Sequence, residues 1–91
     1  CPLGPVIQTN FEQNPELGIK CFVNDELKQD GNTKDMIFSV GEILEFVSSI
    51  MTLLPGDVVL TGTPEGVSKV QPGDEIKIEI ETIGTLINPV K

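Results

Sequence analysis

Apolar residues fall into a helical period over a single stretch of the chain. Val40, Ile43, Leu44, Val47, Ile50 and Met51 recur at helical spacing, with Glu42, Glu45, Ser48 and Ser49 on the opposite side. Ser39 precedes the run and Glu42 follows it three residues later. In such a pair the serine oxygen accepts from one orphan amide of the first turn and the glutamate carboxylate accepts from another. The pattern predicts an amphipathic helix over about 40–52, one face packed on a sheet and the other in water. Its role is scaffold rather than groove filler for a partner.

Elsewhere the pattern points to strands. Gly18-Ile-Lys-Cys-Phe-Val23 predicts a strand, Asn24-Asp25 a turn, and Glu26-Leu-Lys-Gln-Asp30 a weaker returning strand before Gly31. Pro55-Gly56-Asp57 reverses the chain and launches Val58-Val59-Leu60 as a short, apolar, β-branched strand. A second Pro-Gly-Asp, at 72–74, opens Glu75–Ile83, where Ile76, Ile78 and Ile80 alternate with Lys77, Glu79 and Glu81. That strand is half-buried. Gly84 then turns the chain into Thr85–Val90, whose Pro89 suits a sheet edge. Pro2 and Pro5 keep Cys1–Ile7 extended, and its apolar start with no polar lead-in reads as the continuation of something upstream. Gln8–Leu17, punctuated by Asn14-Pro15, reads as a surface loop. The expected class is mainly β (α+β) with one helix; the rival is an α/β layer of parallel strands.

Composition narrows the chemistry. Ninety-one residues make one small domain, and with no Trp, no Tyr and 4 Phe its core is thin, so a second copy or another neighbour is expected to complete it. A net charge of -8, from 14 acidic against 6 basic residues, repels nucleic acid and anionic membrane surfaces. No signal-like segment or long apolar run occurs, and Cys1 and Cys21 lack the neighbours of a metal clip. The expectation is a soluble cytoplasmic protein with reduced thiols. With no histidine, the Ser-His and Cys-His arrangements are excluded from this chain, leaving carboxylates, lysine, hydroxyls, backbone or metal for any catalysis.

Two places could carry such chemistry. In Thr61-Gly62-Thr63-Pro64-Glu65-Gly66, two hydroxyls flank a residue without a side chain and Pro64 biases Thr63 towards extended backbone. Backbone amides and a threonine hydroxyl can there meet a carboxylate or carbonyl oxygen. The same letters also suit any tight loop. In Glu79-Ile80-Glu81, carboxylates two apart on one strand face can share a divalent ion. Lys77 continues that face without a third acidic ligand, so a charged outer face that discourages aggregation is the competing reading. Asn24-Asp25-Glu26 with Asp30 lacks the spacing of a calcium loop.

Several of these segments together carry a resemblance. They are Cys1-Pro-Leu-Gly-Pro5, Val23-Asn-Asp-Glu26 with Gln29, Gly31 and Thr33, Met36-Ile-Phe-Ser39, the capped helix, Leu54–Val67, Pro72-Gly-Asp74 and Gly84–Val90. In this order they resemble the C-terminal portion of the fumarylacetoacetate hydrolase family, in its small acylpyruvate hydrolase and 2-hydroxyhepta-2,4-diene-1,7-dioate isomerase branch. The resemblance implies a mixed β-sandwich roll with few helices, residues 1–91 being the C-terminal part of a single catalytic domain whose upstream portion is absent. It implies a homodimer and a magnesium or manganese ion that chelates a keto-acid substrate and polarises its oxygens as a Lewis acid. The implied reaction is hydrolysis of a carbon–carbon bond in acylpyruvates or fumarylacetoacetate-like 1,3-diketo acids. An isomerase or decarboxylase of related dioates in aromatic catabolism, and an inactive truncated β module, are the alternatives. Carried over by position, Thr63 would bind the substrate carboxylate through its hydroxyl and Gly62 would give close backbone approach. The family's Glu-x-Glu pair, aspartate and active-site lysine all fall upstream, so the resemblance assigns no metal ligand and no catalytic residue to this chain.

Overall fold

The protein is described from a computed structural model, which covers residues 1–10 and 15–91; residues 11–14 of the expected surface loop lie outside the described residues. The elements are β1 (Gly18–Val23), β2 (Glu26–Asn32), a 3-10 turn (Thr33–Asp35), α1 (Val40–Ile50), β3 (Glu75–Ile80) and β4 (Gly84–Pro89). The four strands form one antiparallel sheet in the order β2-β1-β3-β4. The mainly β class with one helix is therefore the class observed, and β4 with its Pro89 is at an edge as expected.

Register explains which residues shelter one another. Ile19, Cys21 and Val23 on β1 stand opposite Ile80, Ile78 and Ile76 on β3, and Leu86 on β4 stands opposite Ile78. Paired residues share a face, so this face is an apolar, half-buried patch. On the other face Phe22 pairs with Lys77, whose ammonium lies 4.6 Å from the ring centroid and 3.3 Å from the Asp25 carboxylate. The β1–β2 ladder is interrupted once: Cys21 pairs with Gln29 and Phe22 with Leu27, leaving Lys28 as the extra residue of a bulge.

Turns close the sheet through side-chain oxygens. Leu54 N donates to Asp57 Oδ2 and Gln71 N to Asp74 Oδ2, each at 2.8 Å, so the two Pro-Gly-Asp turns are built alike. Gly56 and Gly73, at φ 94° and 95°, take the positive angle that this turn requires after proline. Asn24, at the tip of the β1–β2 hairpin, donates from its side chain to Asp74 Oδ1 and accepts from Glu75 N, both at 2.9 Å. The Gln71 amide, and then the Asn24 side chain, hold the Asp74 carboxyl below its usual range.

Helix α1 begins as its sequence predicts and ends slightly earlier. Ser39 Oγ accepts from Glu42 N at 3.2 Å, and Glu42 Oε2 accepts from Ser39 N at 2.7 Å. The expected seat on the sheet is not there. Val40, Ile43 and Val47 are half-buried, Phe46 and Ile50 are 67% and 64% exposed, and among the described residues the elements in substantial contact are the strands of the sheet. The caps form this helix locally, and its apolar side is only partly covered without a seat on the strands. No described residue is fully buried.

Two strand expectations also change. Val58-Val59-Leu60 forms no strand, and Val58 and Leu60 are 57% and 80% exposed. Its β-branched composition suits a pleat, but a strand also needs a neighbour for its amides and carbonyls, and no described segment pairs with it. β3 stops at Ile80 rather than Ile83, because Glu81–Ile83 turns the chain with Thr82 at φ 63°.

Candidate functional site

The hydroxyl- and glycine-rich loop lies against β2, and four contacts fix it there. Gln29 Nε2 donates to Thr63 Oγ1 at 2.8 Å and to the Pro64 carbonyl at 2.7 Å. At Gly31 an added Cβ would meet Pro64 Cβ and Cγ at 3.3 Å. At Gly66, with φ 101°, it would collide with the Lys28 carbonyl. Two glycines, one on each side of the contact, thus let strand and loop approach more closely than side chains permit. The bulge at Lys28 brings Gln29 into register with Cys21 and the apolar face.

Thr63 and Gly62, the sequence's two candidates, are both in this loop. Thr63 is anchored, while Thr61 makes no hydrogen bond among the described residues. Gly62 sits at φ 92° with no atom within 4 Å of where a Cβ would be. Its requirement is therefore conformational rather than steric: it turns the backbone so that Thr63 faces β2. Gln29, by contrast, is a functional candidate that pattern reading passed over. An amide on the apolar face of a hairpin is the signal for it, and the bulge, invisible in the letters, hides that signal.

The paired glutamates are occupied with structure. Gly18 N donates to Glu81 Oε1 at 2.9 Å, and Glu81 N donates to Gly18 O at 3.1 Å. Glu79 faces Lys77 Nζ at 3.7 Å. No group of three His, Cys, Asp or Glu side chains that could hold a metal occurs among the described residues. The charged outer face is thus the reading that geometry favours for Glu79 and Glu81, and the described residues do not fit a metal centre. A depression of about 530 Å³ lined by Gly18, Lys20, Glu79, Glu81 and Thr85 includes none of the Thr61–Gly66 loop, and its Glu81 is the carboxylate already held by Gly18. No described helix is long and apolar enough to cross a membrane.

Comparison with known proteins places this arrangement. The chain is 44% identical over 91 residues to a 4-hydroxyphenylacetate degradation bifunctional isomerase/decarboxylase of Salmonella dublin, covering 98% of this chain and 21% of that one. It superposes on a 2-hydroxyhepta-2,4-diene-1,7-dioate isomerase from Mycobacterium marinum with a TM-score of 0.93 and 50% identity, over 99% of this chain and 35% of the other. A maleylpyruvate hydrolase from Sphingobium sp. SYK-6, solved with manganese(II) and pyruvate, gives a TM-score of 0.92 and 41% identity, over 99% and 35%. Of two further curated relatives that it matches the chain spans 38% and 35% of the length, so it covers well under half of each. The profile described as fumarylacetoacetate (FAA) hydrolase C-terminal matches residues 1–91, and the chain belongs to that enzyme family.

Proposed function

We propose that the polypeptide carrying this segment is a metal-dependent hydrolase that cleaves a carbon–carbon bond in acylpyruvate or fumarylacetoacetate-like 1,3-diketo acids. In this reading Thr63 donates its hydroxyl to the substrate carboxylate and Gly62 sets the backbone that presents it. The observation that carries it is the anchoring of Thr63 on β2 by Gln29, in a loop held close by Gly31 and Gly66. Magnesium or manganese would act as the Lewis acid, on ligands outside this chain. A neutral hydroxyl donor suits a keto-acid carboxylate, because a hydrogen bond with one ionised partner is stronger than one between neutral groups.

Isomerisation or decarboxylation of a 2-hydroxyhepta-2,4-diene-1,7-dioate-like substrate is the second reading, favoured by the names of two of the relatives. Exposed apolar side chains on α1, Phe46 and Ile50 among them, support association with a second copy in a homodimer. Unpaired Cys1 and Cys21 support a reducing, cytoplasmic setting. Turnover of acylpyruvates and of hydroxymuconate-like dioates by the full native polypeptide, with magnesium or manganese, tests the assignment. Hydrolysis of the first group is expected. Turnover of the dioates alone selects the second reading, and no turnover of either is the result expected of an inactive β module.

A further inference from the structure

We propose that Gln29 is a positioning residue that sets the direction of the Thr63 hydroxyl: its amide hydrogen fills one lone pair of the Thr63 oxygen and so turns the hydroxyl hydrogen outward, towards a ligand carboxylate. This rests on the reading of Thr63 given above and adds to it the group that sets the hydroxyl's polarity.

The orientation of the amide follows from its second partner. A carbonyl oxygen can only accept, so the Gln29 atom 2.7 Å from the Pro64 carbonyl carries hydrogen and is the amide nitrogen. That nitrogen has two hydrogens and two partners at hydrogen-bond distance, Pro64 O and Thr63 Oγ1. Both hydrogens are used. Thr63 therefore accepts from Gln29, and its own hydrogen must go elsewhere; no acceptor for it occurs among the described residues. A threonine hydroxyl left alone rotates freely, whereas this one has its hydrogen turned away from the Gln29 amide, where an anionic oxygen can accept it. The position of the oxygen has separate supports, Gly31 beneath Pro64 and Gly66 against the Lys28 carbonyl. Gln29 thus contributes direction as well as attachment.

The test measures pyruvate binding by calorimetry, with manganese saturating, in the full native polypeptide and in Gln29→Leu, Gln29→Glu, Thr63→Val and the Gln29→Leu/Thr63→Val double variant. Gln29→Leu should weaken pyruvate roughly two- to tenfold, the range of one neutral hydrogen bond. The double variant should bind no more weakly than Thr63→Val alone, because Gln29 acts through Thr63. In Gln29→Glu an ionised carboxylate would accept the Thr63 hydrogen and compete with the ligand. Its affinity should be low at neutral pH and recover on acidification relative to wild type, as the new carboxyl gains a donor proton. That profile decides the case if Gln29→Leu does not fold. Unchanged binding in folded Gln29→Leu, full additivity in the double variant, or no recovery of Gln29→Glu on acidification overturns the inference. If Thr63→Val weakens binding while Gln29→Leu does not, the reading of Thr63 stands without it; unchanged binding in Thr63→Val overturns both.

Discussion

Asn24 and Asp74, 50 residues apart, are joined side chain to side chain at 2.9 Å, tying the tip of the β1–β2 hairpin to the turn that launches β3. The Asp74 carboxylate also accepts from Gln71 N at 2.8 Å, and these bonds, the Gln71 one first, lower its pKa. A group depressed in the folded state contributes stability above its unfolded pKa, and that contribution is lost as pH falls through the folded value. Wild type should therefore lose stability relative to Asp74→Asn as pH drops below the ordinary aspartate value of 3.8. Thermal melts of the two proteins across the acid range check this; parallel curves would refute it.

Glycine positions in the loop should rank by cause. Gly62→Ala meets no atom and incurs backbone strain alone, about 1–2 kcal/mol for a positive φ. Gly66→Ala adds a collision with the Lys28 carbonyl to the same strain, so it should cost distinctly more. Urea unfolding should give the order wild type, Gly62→Ala, Gly66→Ala; equal stability of the two variants would show that the loop does not press on β2.

Thr63→Val keeps the β-branched shape and removes the donor. In the full polypeptide it should cost about 1.5–3 kcal/mol of transition-state binding, roughly ten- to a hundredfold in kcat/KM. Thr61→Val should stay near wild type, since Thr61 makes no bond to β2. Equal activity of Thr63→Val and wild type, both folded and metal-saturated, would reject the role given to Thr63.

Removal of the helix cap should act locally. Ser39→Ala removes the acceptor for Glu42 N, at a cost of about 0.5–2 kcal/mol of helix stability. Because α1 makes no substantial contact with the strands, helical circular dichroism should fall while amide exchange within β1 and β3 stays unchanged. Faster exchange in the strands would show coupling between helix and sheet.

What the sequence made legible was whatever its residues decide among near neighbours. Ser39 and Glu42 announce α1, Asn24-Asp25 the hairpin turn, and the two Pro-Gly-Asp triplets their turns, because each structure is satisfied within four residues. Val58–Leu60 misled because strand formation is decided by a partner, and the helix seat misled because amphipathicity states that a face wants cover without saying where the cover is. Thr63 and Gly62 were found by residue type and by resemblance. Gln29 was named only among the matching letters, since its value comes from a bulge at Lys28 and from a loop 34 residues away.

The pairing of β1 with β3 gives the chain an unusual tolerance. Two hairpins make the whole sheet, so everything between Thr33 and Asp74 leaves it at one point and returns at another. Lengthening such an excursion adds closure entropy slowly, about 0.6 kcal/mol per doubling. Evolution can therefore lengthen, shorten or rewrite the helix and turns to suit a new substrate while inheriting the sheet intact, provided the new segment still brings a hydroxyl down onto the Gln29 amide.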